Sequence, residues 1–340
     1  MTKRIISQSG SGGSSRPIDL VCMGRVGVDL YAEQEGARLE DVTSFRKYIG
    51  GSAANVCAGA SRLGLRTGML DRVGDEQMGR FVREAMAKEG IDVSRLRRAP
   101  DRLTTLVTLG VRETEDFPRI FFAENAADLA VAEQDIDVDW IASSAALLVG
   151  GTLLARPGSA AAARKAIGAA RRAGAKVILD VDYRPVLWGL AGHQAGAEMF
   201  VPSQNVSDAI QSALGDCDLV VGTDHEIRIA GGSAQTHEAL KSIRASTDAL
   251  IVLKVGALGC LMDPGEIPPN HHDGIRGQGV RVEVFNSVGA GDAFMSSFLR
   301  GWLTEAPIER CARLANACGA LVVSRHGCSP AMPSWEELCN

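Results

Sequence analysis

ALLVGGTLLARPGSAAAARKAIGAARRAGAKVILDV, residues 146–181, carries the pattern that decides the fold. It opens on the apolar run ALLVG (146–150) and closes on KVILDV (176–181), with an alanine-rich helical stretch at about 159–173 between them. Short apolar runs without polar alternation suit strands buried on both faces, as in a parallel sheet covered by helices. The unit recurs along the chain. IDLVCMG (18–24), DLVVG (218–222) and ALIVLK (249–254) are further runs of this kind, and helical patterns fall at about 52–63, 76–89, 235–246, 290–303 and 308–324. Repeated strand, helix and strand predict an α/β protein with a doubly wound, mainly parallel sheet flanked by helices.

Two segments break this rhythm. Residues of about 30–48 and LTTLVTLGVRETEDFPRIFFAEN (103–125) contain no crossover helix long enough for parallel pairing, and the second reads as strand, charged turn and strand. They predict a small β-sheet lid over one end of the main domain. DPGEIPPNHHDGIRGQG (263–279) reads as an exposed loop or hairpin. Residues 1–17 read as a flexible Gly/Ser tail ahead of one domain spanning 18–340.

The 340 residues include 36 Lys plus Arg against 41 Asp plus Glu, so no basic excess points to nucleic acid or an anionic membrane. With 46% hydrophobic and 23% charged residues the composition is that of a globular protein. No apolar run approaches membrane-spanning length and the first residues lack the apolar core of a signal peptide, so a cytoplasmic location is expected. The eight cysteines form no C-x-x-C pair and have no histidines at finger spacing, which leaves them as small buried hydrophobes rather than zinc ligands.

The strongest chemical signal is Val288-Gly289-Ala290-Gly291-Asp292-Ala293-Phe294, directly after the strand-like VRVEVF (280–285). Phe294, Phe298, Leu299, Trp302 and Leu303 recur at helical spacing, so the small-residue turn opens a helix. The amides of Gly289, Ala290 and Gly291 then form a place for an anion. Asp292, in the first turn, fits a base for an attacking hydroxyl and equally a residue that complements the helix dipole. No Walker loop and no complete dinucleotide fingerprint occurs. Gly50-Gly51-Ser52-Ala53-Ala54-Asn55 opens a second helix. Gly24 to Asp29, Asp180-Val181-Asp182-Tyr183-Arg184-Pro185 and Thr223-Asp224-His225-Glu226 all follow apolar runs, where an open α/β sheet binds ligands. Arg184 has the planar fork for a phosphate or carboxylate, and Glu226 the charge to help hold Mg²⁺ directly or through water.

Together GGSAANVCAGASRLG (50–64) and FNSVGAGDAFMSSFLRGW (285–302) resemble the two signatures of the ribokinase-like (PfkB) carbohydrate kinases, in a match spanning about 18–338. Within that family MGRVGVDLY, DRVGDEQMGRFVREAM, DVDYRPVLWG, VGTDHEIRIAGG and SRHGCSPAMPSWEEL are most similar to the branch acting on 5-dehydro-2-deoxygluconate in inositol catabolism. Kinases of 2-keto-3-deoxygluconate and of fructose share the scaffold. The resemblance implies Mg²⁺-assisted phosphorylation of a sugar-acid hydroxyl by ATP, with Asp292 as base and the amides of Gly289, Ala290 and Gly291 as anion hole. It places Asp29, Gly50, Gly51 and Asn55 at the sugar and Arg184 near acceptor and phosphates, with Arg25, Arg112 and Arg119 as further candidates for a carboxylate. Lys254, Gly256, Gly259, Asn316 and Thr223 fall at nucleotide positions, and Glu226 at the metal through water. Relatives pair through the lid, which implies a homodimer, and several use a monovalent cation such as K⁺. The chain departs from the family at Thr223, where N-x-x-E has its amide, and at Asn286-Ser287, where Asp-Thr is usual before the GAGD turn. The latter puts the K⁺ site in doubt. A non-catalytic sugar sensor of the same fold is the alternative class, and the intact GAGD argues against it.

Overall fold

The computed structural model describes residues 15–111, 118–192 and 200–340. From β1 (Ile18–Met23) the chain leaves at once for β2 (Gly27–Ala32) and β3 (Phe45–Gly50), then enters α1 (Ser52–Arg62). It continues through β4 (Thr67–Gly74), α2 (Gln77–Lys88) and β5 (Leu96–Ala99) before β6 (Thr105–Leu109) and β7 (Arg119–Phe122). After α3 (Val138–Ala142) the alternation is regular: β8 (Ser144–Gly150), α4 (Pro157–Arg172), β9 (Lys176–Asp180), α5 (Gln204–Leu214) and β10 (Leu219–Thr223). The chain ends with α6 (Asp224–Gly231), α7 (Thr236–Arg244), β11 (Leu250–Lys254), β12 (Gly259–Asp263), β13 (Ile275–Gln278), α8 (Ala290–Leu303), α9 (Ile308–Val323) and α10 (Trp335–Cys339). Among the described residues no helix is long and apolar enough to cross a membrane.

Nine strands form the main sheet in the order β13-β12-β11-β10-β9-β8-β1-β4-β5. β1 lies between β8 and β4, parallel to both, so the chain winds away from it in two directions. A crevice for ligands opens at such a switch point, beyond the strand carboxyl ends. Among the described residues only the β11–β12 and β12–β13 pairs of this sheet are antiparallel, and the latter is the hairpin expected at 263–279.

Both faces of the sheet are covered. Val149, Val177 and Leu179 pack on Ala163, Ala166 and Ile167 of α4 and on Ile210, Ile227 and Leu240 of α5 to α7. On the other side Cys22, Leu148 and Val221 meet Ala54 and Ala58 of α1 and Phe298, Leu299, Ala312 and Ala315 of α8 and α9. The alanines of α4 recur three and four residues apart, which gives it a smooth inner face, while Pro157 starts it without losing a needed N–H. Seven cysteines are buried and Cys339 is exposed, all of them free.

The second sheet has the order β3-β2-β6-β7, with β2 and β6 parallel and the outer pairs antiparallel. It begins at Gly27, a little before the expected boundary. Tyr31, Val107, Leu109 and Phe121 pack inward against Ala293, Cys318, Val322 and Met332, whereas Phe122 on the opposite face is 57% exposed. The charged turn expected between β6 and β7 falls at 112–117, outside the described residues, and Arg112 with it. So do residues 1–14 of the expected tail; Arg16 donates to the carbonyls of Ser144 and Ala173.

One expected strand is corrected. VRVEVF (280–285) is extended chain outside either sheet, with Val280 and Val282 exposed, and the amides of Phe285 and Asn286 bond to the carbonyl of Val323 at the end of α9. Alternating valines describe which way side chains face, but a strand also needs a partner, and here the backbone turns to a helix end instead.

Candidate active site

The main sheet delivers charged side chains at its strand ends. Arg25 follows β1, Asp180 closes β9 with Asp182 and Arg184 just beyond, Thr223 closes β10 and Lys254 closes β11. Helices α1 and α8 supply Ser52, Asn55 and Asp292, and the small sheet supplies Asp29 and Gly50.

Glycines set the starts of both helices. Gly51 (φ 94°) and Gly289 (φ 87°) stand at the N-caps of α1 and α8 in backbone conformations that L side chains rarely adopt. A Cβ at Gly51 would overlap the Arg25 carbonyl, and one at Gly289 would overlap Cys328 Sγ. The first-turn amides of α8, at Ala290, Gly291 and Asp292, have no partner within the helix and carry its positive dipole end.

Asp292 is held from two sides and remains partly open to the crevice. Ser52 Oγ lies 3.0 Å from its Oδ1, and Asn55 Nδ2 donates to its Oδ2 at 2.9 Å. The Cys328 thiol approaches Oδ2 at 3.8 Å. Burial raises the Asp292 pKa and the nearby Asp182 adds to the rise, against the donation from Asn55 and the charge of Lys254. Asp29 is buried and pushed up to about 7, chiefly by desolvation, with Arg25 opposing and Asp292 reinforcing. Gly50 makes room for it, because a Cβ there would overlap the Asp29 carboxylate.

A chain of ion pairs crosses the floor. Arg25 Nε and Nη2 donate to Asp182 at 2.8 and 2.7 Å, and Arg184 Nη2 reaches the same carboxylate at 3.3 Å. Arg184 Nη1 donates to Glu226 Oε1 at 3.1 Å, and Glu226 Oε2 accepts from the Thr223 amide at 2.8 Å. Burial would raise Asp182 and Glu226, but the first is held below its ordinary value by Arg25 and Arg184, and the second by Lys254 and Arg184. Lys254 Nζ stands 3.7 Å from Asp180 Oδ1, and burial carries Asp180 up to about 7 despite that ammonium.

Asp292, the Gly289–Gly291 turn, Asp29, Gly50, Gly51, Asn55, Arg25, Arg184, Lys254 and Glu226 therefore belong to one connected cluster. Gly256 and Gly259 shape the adjoining turn between β11 and β12 with φ values of 58° and 98°. Asn316 is buried on α9, its amide 3.9 Å from Cys260 Sγ. Thr223 is the N-cap of α6 in a capping box with Glu226, a structural duty legible in the spacing Thr-x-x-Glu. Arg119 lies on β7 of the lid. Sequence reasoning gave no role to Ser52 or Cys328. Asp180 and Asp182 stood in a polar cluster after a strand but were overshadowed by Arg184. A cavity of about 710 Å³ lined by Glu76, Arg102, Leu103, Ile120, Phe122 and Asn125 opens at the lid, and Asp292 and its partners do not line it.

The donors present fit Mg²⁺ only in part. Among the described residues no three His, Cys, Asp or Glu side chains converge as a metal cage. Mg²⁺ keeps several waters and takes its remaining ligands from substrate phosphates, so one carboxylate acting through water suffices. Both oxygens of Glu226 already carry hydrogen bonds, which favours that indirect mode. Asn286 donates to the Arg325 carbonyl beyond α9 at 3.2 Å and accepts from the Val288 amide of its own loop at 2.8 Å.

Residues 17–335 match the model of the pfkB family of carbohydrate kinases. The chain is 32% identical over 330 residues to a 5-dehydro-2-deoxygluconokinase of Bacillus licheniformis, covering 95% of each chain. It is 30% identical to the enzyme of the same name from Bacillus subtilis, again over 95% of each. Among solved structures, a PfkB protein from Polaromonas sp. JS666 superposes with a TM-score of 0.76 at 28% identity, covering 95% of this chain and 99% of that one. A fructokinase of Vibrio cholerae with bound fructose, ADP and calcium superposes at 0.78 with 24% identity, over 95% of this chain and 98% of that one. With the family model matched over nearly the whole chain and relatives at 30–32% identity, the chain belongs to the pfkB family of carbohydrate kinases.

Proposed function

We propose that the chain transfers the γ-phosphoryl group of ATP to the primary hydroxyl of 5-dehydro-2-deoxy-D-gluconate, giving 6-phospho-5-dehydro-2-deoxy-D-gluconate and ADP. The observation that carries the reading is Asp292 at the open end of α8 with the half-buried Arg25 guanidinium close to both it and Asp29. Arg25 spends Nε and Nη2 on Asp182, and its Nη1 makes no hydrogen bond among the described residues, which suits a carboxylate on the acceptor. Relatives of similar length carry the name of that acceptor.

In this reading Asp29, Gly50, Gly51 and Asn55 seat the acceptor and Arg25 and Arg184 balance its charge. Asp292 takes the hydroxyl proton as the oxygen attacks phosphorus in line. The amides of the Gly289-Ala290-Gly291 turn meet the charge on the transferring group. Lys254, Gly256, Gly259, Asn316 and Thr223 border the nucleotide. Mg²⁺, when bound, neutralises phosphate charge, and Glu226 would hold it through water. The small sheet excludes water that would otherwise consume ATP.

ADP formation from Mg-ATP with 5-dehydro-2-deoxy-D-gluconate, beside 2-keto-3-deoxygluconate, fructose, ribose and inosine, tests the reading. A clear preference for the first supports it. Preference for another member moves the substrate and keeps the kinase, whereas no ADP with any of them points to a sugar sensor. The outer face of the lid, with Ile120, Phe122 and the 70% exposed Leu103, is the surface on which we place the homodimer. Phe122→Glu is expected to convert a dimer to a monomer in sedimentation velocity; an unchanged mass would remove the lid from the interface.

A further inference from the structure

A serine hydroxyl has one proton to give. Ser52 Oγ lies 3.1 Å from Asp180 Oδ2 and 3.0 Å from Asp292 Oδ1, so with both carboxylates ionised one of the two contacts sets lone pair against lone pair. A single additional proton on either carboxyl turns both contacts into hydrogen bonds. Above about pH 7, where Asp180 is ionised, the site is thus one proton short, and the phosphoryl transfer proposed above releases one. Asp180 is buried, its Oδ1 makes no hydrogen bond among the described residues, and the nearest cation is Lys254 Nζ at 3.7 Å. The other charged groups facing the pair are Asp182 beyond β9, Glu226 from α6, Arg25 after β1 and Asp29 from β2, with the Cys328 thiol beside Asp292.

We propose that Ser52 and Asp180 are positioning residues that draw the abstracted proton off Asp292 and return it to the ionised form. The inference rests on the kinase reading. The acceptor O–H bond breaks while its oxygen bonds to phosphorus and the bond to the ADP oxygen breaks, and the proton forms an O–H bond on Asp292. From Oδ1 it passes to Ser52 Oγ as the serine's own proton passes to Asp180 Oδ2. The serine is unchanged and the proton leaves later from Asp180. A carboxyl pushed up to about 7 by burial suits a group that both takes and releases a proton near neutrality.

Carboxyl ¹³C NMR titration of the ligand-free protein, with pH profiles of kcat/KM on the acceptor the wild type prefers, tests this. In the wild type Asp180 and Asp292 are expected to titrate as a coupled pair in two steps. Asp180→Asn should abolish the upper step and leave a single step for Asp292, with the acid limb of kcat/KM reduced to one step alike. Ser52→Ala should lower kcat by about tenfold with both KM values within about threefold, and Ser52→Thr should recover most of it. A single-step Asp292 in the wild type, or an upper step that persists in Asp180→Asn, overturns the proposal, as does wild-type kcat in Ser52→Ala. If Ser52→Ala does not fold, the Asp180→Asn titration decides. If no acceptor is turned over, the kinase reading fails and the titration still reports whether the proton is shared.

Discussion

At the scale of the residue, Asp292 shows how an ordinary carboxyl becomes a usable base. Burial lifts its pKa, which strengthens it as a proton acceptor, while Asn55 keeps the ionised form accessible. A base works only when ionised, so kcat/KM should rise with pH through a midpoint above the ordinary carboxylate value of 3.8. Asp29, pushed up to about 7, adds a second effect: acceptor KM should climb as pH falls below neutrality. A pH series of initial rates checks both, and an acid limb centred near 4 with flat KM would contradict them. Asp292 was legible because its spacing from two glycines and an apolar stripe identifies a helix start. Ser52 and Asp180 were not, since the pair exists only where α1, β9 and α8 converge.

Elements fix what residues can do, and here two glycine turns aim two helices at one point. Gly289→Ala would meet both a positive φ and the sulfur of Cys328, in a backbone conformation costing about 1–3 kcal/mol. The expected result is a lower Tm together with loss of activity. Gly50 is different, since its φ is not in the left-handed region and the nearest atoms to a Cβ there are all of the Asp29 carboxyl group. Gly50→Ala should therefore keep the Tm within a few degrees and raise acceptor KM, and thermal melts beside kinetics separate the two outcomes. At this scale long periodic elements were readable. Helices α1, α2, α4, α7, α8 and α9 fall within about two residues of where the apolar spacing put them. Helices α5 and α6 were not read, although Val206, Ile210, Ala213 and Leu214 of α5 recur at helical spacing; nor was the loss of VRVEVF as a strand, because its backbone partner is the end of α9.

For the whole molecule, the sheet's winding brings charges of both signs to one crevice, and their burial has a consequence for stability. The folded forms of Asp29 and Asp180 hold protons up to about pH 7, whereas the unfolded chain releases them near the ordinary value of 3.8. Their contribution is complete below that lower value and is lost as pH rises through about 7. Asp182 and Glu226, held low by cations, change only in more acidic solution. Calorimetry should accordingly show Tm falling between about pH 4.5 and 7 in the ligand-free protein and levelling off above that, with a shallower fall in Asp180→Asn; a wild-type curve flat across that interval would contradict the assignment. The doubly wound plan and the small sheet were both evident in the order of apolar runs, but the ion-pair floor was not, because its members come from four separate strand ends. The most direct test of the account is turnover by Asp292→Asn, measured with binding of a non-hydrolysable ATP analogue and of the acceptor. Turnover lower by a factor on the order of 10² to 10⁴ with both affinities within about threefold is the predicted result. Near wild-type turnover would show that Asp292 is not the base.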